Sequence, residues 1–138
     1  MNAPSPSMRN LARHLLAASR SAPSGDGDLK GGRPIHEAVR VCETLRIAVT
    51  RFAGPDGFAA LLRRALALAR VEAPALQSVR LGTDGRIEGI EEIVAQGGGV
   101  EAAVSLAAHV LMLLVMFIGE PLTLRLIRES WPDANLDV

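Results

Sequence analysis

The chain has 138 residues with fifteen basic and fifteen acidic side chains, which is enough for one domain with a hydrophobic core and no net charge. Only 3 % of the residues are aromatic, which argues against an all-β fold and against stacking of single-stranded nucleic acid on exposed rings. Because Cys42 is the one cysteine, the chain has no internal disulfide and no thiolate zinc site. We therefore expect a protein of the reducing cytoplasm.

Charge is unevenly distributed along the chain. Residues 1–70 hold eleven basic and five acidic side chains, whereas residues 71–138 hold four basic and ten acidic ones. The favoured interpretation is a compact fold that brings the two halves together. The alternative is a dipolar surface that recognises a charged partner or a second copy of the chain.

Residues 1–33 are predicted to be an N-terminal arm, with a basic amphipathic helix followed by a flexible linker rich in Gly, Ser and Pro. The favoured interpretation is a helix that docks on the domain formed by residues 34–138. A mitochondrial targeting segment and a membrane-surface anchor are the alternatives. The apolar face comprises Met8, Leu11, Ala12, Leu15 and Leu16, and the basic face comprises Arg9, Arg13 and Arg20.

Two amphipathic helices are predicted next, over 34–52 and 57–71, with a break at Phe-Ala-Gly-Pro-Asp-Gly between them. Residues 79–87 then predict either a two-stranded hairpin or a structured loop around Gly-Thr-Asp-Gly. Isoleucines at 87, 90 and 93 predict a short helix that ends at the glycines 97–99. The outer face of this helix carries Glu88, Glu91 and Glu92.

Residues 100–118 are apolar nearly all round, which predicts a helix at the centre of a bundle. Its length just reaches that of a membrane span, but the stripes of helices 34–52 and 57–71 need an apolar partner, so the buried position is favoured. Gly119 and Pro121 predict a corner before a last helix, over 121–130, with Leu122, Leu126 and Ile127 inward. The predicted fold is an all-α, compact bundle of about five helices.

No local motif for a metal, a cofactor or a catalytic triad occurs in the sequence, and we expect none of these sites. His109 is predicted to be buried in the central helix with one hydrogen bond. The alternative is an internal ligand pocket formed by His109, Met112 and Met116. An enzyme whose catalytic residues come from distant segments is a further alternative.

A charged partner surface is predicted on the two amphipathic helices and on the segment that follows them. A nucleic-acid site is not favoured, because both helices carry apolar stripes and the chain is neutral. The predicted surface comprises Arg40, Arg51, Arg63, Arg64, Arg70, Glu88, Glu91 and Glu92.

Three sequence stretches carry a family resemblance. They are Gly-Phe-Ala-Ala-Leu-Leu-Arg-Arg-Ala-Leu-Ala-Leu-Ala at 57–69, Phe-Ile-Gly-Glu-Pro-Leu-Thr-Leu at 117–124 and Trp-Pro-Asp at 131–133, with Phe52 before them. Together they resemble a small all-helical domain of bacterial proteins to which no activity is attached. The resemblance covers about residues 40–133 and implies a bacterial setting and no catalytic residue.

The predicted function is a non-enzymatic protein-interaction or adaptor module that self-associates. The alternatives are a small-ligand-binding or regulatory bundle with a pocket near His109, and a membrane-associated protein, either peripheral or with a single span. The expected partner is a second copy in a twofold dimer. The residues predicted to be buried in this dimer, with the last helix lying over them, are Leu111, Leu114, Val115 and Ile118.

Because helix 100–118 is predicted to lie inside the bundle, we expect the protein to be soluble without detergent. Expression followed by fractionation of the cell lysate tests this expectation. Recovery in the membrane pellet alone would contradict it.

Overall fold

The computed structural model describes residues 4–21, 34–82, 87–90, 92–93 and 99–131. In this part of the chain the α-helices are α1 (Pro6–Ser21), α2 (Pro34–Glu72), α3 (Val100–Ile118) and α4 (Glu120–Ser130). A 3-10 helix (Pro74–Ser78) and the short strands β1 (Arg80–Leu81) and β2 (Ile87–Glu88) lie between α2 and α3. The all-α bundle predicted from the sequence is confirmed.

Helix α3 is the centre of the bundle, as predicted. Every residue from Ala102 to Leu111 is buried, and so are Leu113 and Leu114. Helices α1, α2 and α4 all pack on α3. Among the described residues, α3 is the one helix long and apolar enough to cross a membrane, and 67 % of its apolar window is buried inside the protein.

Helix α2 is kinked where the sequence predicts a break. Gly54 has φ 81° and ψ 162°, which is not helical, and Pro55 follows with no N–H to continue the hydrogen-bond ladder. The first half of α2 (34–53) and its second half (55–72) each bury one face. The buried apolar residues are Ile35, Ala38, Val41, Cys42, Leu45, Ala48 and Val49 in the first half, and Phe58, Leu62, Ala65, Leu66 and Ala69 in the second.

Strands β1 and β2 form an antiparallel hairpin with the pairs Arg80–Glu88 and Leu81–Ile87. The short helix predicted to begin at Ile87 is therefore wrong at its start, because strand pairing holds Ile87 and Glu88 extended. The backbone then turns at Gly89, where a Cβ would lie 2.1 Å from the carbonyl oxygen of Ser78. Glu92 and Ile93 of that predicted helix are helical, and its residues 91 and 94–98 lie outside the described residues.

The rotation of α4 differs from the prediction. Leu122, which the pattern places inward, is 39 % exposed, and Thr123 is buried in its place. The corner at Gly119 sets this rotation, and the Thr123 hydroxyl donates a hydrogen bond to the Gly119 carbonyl at 2.8 Å. Ile127, one turn further along, is buried as predicted, and Leu126 is partly buried.

Helix α1 docks on α2 and α3 through its predicted apolar face. Leu11, Ala12, Leu15 and Leu16 belong to the same hydrophobic core as α3. The core therefore extends across the boundary predicted at residue 34. The Gly-rich linker also predicts that residues 34–138 fold without the arm, and this stays a prediction.

Because Leu15 is fully buried between helices, we expect Leu15→Ala to lower the free energy of unfolding by about 2–5 kcal/mol. Urea denaturation followed by circular dichroism measures the change. His14→Ala, on the exposed face of α1, is the control and should change stability by less than about 0.5 kcal/mol. If Leu15→Ala left the main transition unchanged, α1 would not belong to the cooperative unit.

Candidate functional site

A surface groove lies between the second half of α2 and the C-terminal end of α3. Its volume is about 420 Å³. Each wall is one stripe of a helix, with residues three or four positions apart. The walls are Gly57, Ala60, Leu61 and Arg64 on α2, and Leu113, Met116 and Phe117 on α3.

The groove is bordered by exposed apolar side chains. Met116 is 68 % exposed and Phe117 is 61 % exposed, although most of α3 before them is buried. Exposing a phenylalanine and a methionine side by side leaves apolar surface in water, which is typical of an interaction site. The opposite wall includes Gly57 and Ala60, which have little or no side chain.

A polar array lies roughly 17 Å along α3 from the groove, near the helix N-terminus. Glu72, at the end of α2, accepts hydrogen bonds from two other helices. Arg9 of α1 donates from Nη1 to Glu72 Oε1 at 3.2 Å and from Nη2 to Oε2. Ser105 of α3 donates from Oγ to Glu72 Oε1 at 2.7 Å. The carboxylate therefore ties α1, α2 and α3 together at one point.

The Arg9 guanidinium holds the pKa of Glu72 below its ordinary value, mainly through its hydrogen bonds. Burial of the carboxyl acts in the opposite direction, and the Ser105 hydroxyl adds to the lowering. A carboxylate with a lowered pKa is a weak proton acceptor. Glu72 is therefore suited to holding helices together and poorly suited to general base catalysis.

Ser105 and His109 lie one turn apart without forming a nucleophile and base. His109 Nδ1 is 2.8 Å from the Ser105 carbonyl oxygen, which can only accept, so this nitrogen carries the proton. A protonated Nδ1 cannot take the proton of the Ser105 hydroxyl, which lies 3.4 Å away. That hydroxyl donates to Glu72 instead. The geometry lacks the hydroxyl-to-imidazole transfer of a nucleophilic serine.

Cys42 is also unsuited to nucleophilic chemistry. Its side chain is buried in the first half of α2, and burial raises the pKa of the thiol to about 12. The thiol therefore stays protonated near neutral pH and behaves as a small apolar core residue.

The basic residues of the predicted partner surface lie at several places. Arg63 and Arg64 are exposed on the second half of α2, and Arg64 lines the groove. Arg40 and Arg51 are exposed on the first half. Arg70 is partly buried and donates to the carbonyls of Leu76 and Val79, which anchors the turn after α2.

The acidic residues of the predicted partner surface belong to the hairpin and to the segment after it. Glu88 is exposed, and its Oε1 lies 3.8 Å from Nε of Arg80 on the paired strand. Glu92 is exposed, and Glu91 lies outside the described residues. The structure therefore pairs Glu88 with Arg80 inside the hairpin, an arginine that is not part of the predicted partner surface.

The residues of the predicted ligand pocket are spread along α3. His109 is buried, Met112 is partly buried, and Met116 lines the groove, whose walls include neither of the other two. The ligand pocket near His109 stays a prediction. Among the described residues, no group of three or more His, Cys, Asp or Glu side chains is placed to hold a metal ion.

The apolar residues predicted for a dimer interface need correction. Leu111 and Leu114 have no exposed surface, because α3 lies at the centre of its own bundle and its neighbours already cover them. Val115 and Ile118 are partly buried. The apolar surface that remains exposed at this end of α3 is that of Met116 and Phe117.

Comparison with protein-family models, with curated proteins and with solved structures finds no match to this chain. The resemblance to a bacterial helical domain stays a prediction.

Because the pKa of Glu72 is lowered by folding, its carboxylate stabilises the protein above the pKa of the unfolded chain, and this stabilisation is lost as the pH falls through the folded pKa. We expect Glu72→Gln to destabilise the protein by about 1 kcal/mol at about pH 7, since the pair with Arg9 is partly exposed. The difference in the free energy of unfolding between the wild type and Glu72→Gln should be smaller at about pH 3.

Urea midpoints of the wild type and the variant at both pH values measure this effect. Glu101→Gln is the matched control, because Glu101 is an exposed carboxyl that lines the same surface cleft as Glu72. An equal loss of stability at both pH values would contradict the electrostatic role of Glu72.

Proposed function

We propose that this protein is a non-enzymatic protein-interaction module and that the groove between α2 and α3 is its binding surface. The observation that carries the proposal is the exposure of Met116 and Phe117 beside a groove of about 420 Å³. Aromatic and methionine side chains are enriched at protein interfaces.

The groove is suited to an amphipathic helix. Two helical walls accept apolar side chains spaced three and four residues apart on such a partner. Met116 supplies a flexible contact that adapts to the partner, and Phe117 supplies a rigid anchor. Arg64 at the edge favours a partner with an acidic side chain beside its apolar face.

Two of the alternatives, ligand binding at His109 and a membrane span, have less support. A ligand site at His109 competes with the hydrogen bond that its Nδ1 already makes within α3. A membrane span by α3 would remove the helix on which α1, α2 and α4 pack. The cytoplasmic location is part of the proposal and is supported by the single, buried thiol of Cys42.

A library of helical peptides panned against the purified protein tests the groove without knowledge of the natural partner. We expect the selected peptides to carry an aromatic or leucine anchor, and Phe117→Ala to weaken their binding by roughly 30-fold, as for an interface hot spot of about 2 kcal/mol. Ala60→Glu should have a similar effect, because it places a charged side chain on the wall of the apolar groove.

Val71→Glu is the control variant, since Val71 is 84 % exposed on α2 and is not part of the groove walls. It should bind the same peptides as the wild type. Selected peptides that bind all three variants as tightly as the wild type would contradict the proposed binding surface.

A further inference from the structure

We propose that the occupant of the groove is a second copy of this chain, in a twofold dimer that pairs the second halves of α2 antiparallel across Ala60. The inference rests on the proposed function and names the partner of the same groove. A twofold interface uses one patch twice, so the patch must complement itself in both charge and shape.

The charges on the second half of α2 are self-complementary about Ala60. Asp56, Ala60 and Arg64 are four residues apart and all exposed, so they lie along one side of the helix. When two such helices run antiparallel with Ala60 opposite Ala60, Asp56 of each copy faces Arg64 of the other. The dimer therefore gains two identical opposite-charge pairs, while a parallel arrangement would place like charges together.

The groove itself also fits this arrangement. Its walls carry the exposed ring of Phe117 and the small residues Gly57 and Ala60. When the second halves of α2 pair across Ala60, the two grooves face each other and both Phe117 rings lose exposure to water. Ala60 lies at the centre and its small side chain lets the two helices approach closely.

The rim of the groove favours a protein copy over an anionic membrane. Arg64 is basic, but Asp56 and Glu120, which flank the two groove walls in sequence, are exposed carboxylates. An anionic lipid surface attracts clusters of basic side chains and gains nothing from acidic ones beside them. A second copy gains from both signs, because the acidic residue of one copy faces the basic residue of the other.

Sedimentation equilibrium of the full chain at concentrations on the order of 10 µM tests the dimer. We expect a dimer that Asp56→Arg and Arg64→Asp each weaken by roughly tenfold or more, because each creates two like-charge pairs. The double variant with both changes should restore dimerisation, because the pairs are reversed. Salt should weaken the wild-type dimer only modestly, since the apolar contact dominates.

A disulfide at the proposed axis tests the geometry directly. In Ala60→Cys, mild oxidation should give a disulfide-linked dimer, since the two thiols lie near each other across the axis. Cys42 is buried and leaves little background. Val71→Cys, exposed on the same helix, should stay largely unlinked under the same conditions.

A wild-type protein that sediments as a monomer would overturn the second copy as the occupant, and so would a dimer that Ala60→Arg leaves intact. The proposed function fails separately, because it requires only that selected peptides bind the groove. Binding of the wild type to anionic phosphatidylserine vesicles, lost in Phe117→Ala, together with monomeric sedimentation would assign the groove to a membrane surface instead.

Discussion

The requirement to cover α3 on all sides determines the rest of this structure. A nineteen-residue helix with almost no polar face cannot lie at a protein surface, so every other helix contributes its apolar stripe to it. Helix α1 covers one side, the two halves of α2 cover another, and the sharp corner at Gly119 folds α4 back along its end. The apolar remainder at Met116 and Phe117 is where this cover ends.

The polar array at the other end of α3 has a different role from the groove. Hydrogen bonds from Arg9 and Ser105 to one carboxylate specify how α1, α2 and α3 meet, whereas apolar packing alone tolerates sliding. Such an array contributes directionality to a core composed largely of Ala, Leu and Val. The N-terminal end of α3 therefore fixes how the helices pack, while its C-terminal end leaves apolar side chains exposed at the groove.

Much of the fold follows from local signals in the sequence. The apolar run at 100–118 predicts a buried helix by its composition, and Gly119 with Pro121 marks its end. The Phe-Ala-Gly-Pro-Asp-Gly stretch predicts an interruption in α2, since glycine permits the positive φ found at Gly54. For residues 79–87 the sequence leaves a hairpin and a structured loop as alternatives, because short strands have little periodicity of their own.

The remaining features depend on contacts between distant residues. Arg9 and Glu72 are 63 positions apart, and Glu72 and Ser105 are 33 apart, so no spacing rule pairs them. Whether Leu122 or Thr123 of α4 faces the core depends on how the corner at Gly119 rotates the helix. The groove likewise brings Gly57 and Ala60 of α2 together with Met116 and Phe117 of α3, which lie far away in the sequence. Local pattern therefore predicts the elements, while their relative rotation determines the site.

The position of Cys42 has a consequence for how the core can be observed. Its thiol lies between α2 and the rest of the core, protonated and out of reach of water. A thiol reagent reaches it only in molecules whose core has transiently opened. Where reclosing is faster than the chemical reaction, the labelling rate in native buffer reports the equilibrium between closed and open cores. The chain thus contains a built-in probe of its own breathing motions, at one defined atom and without any added label.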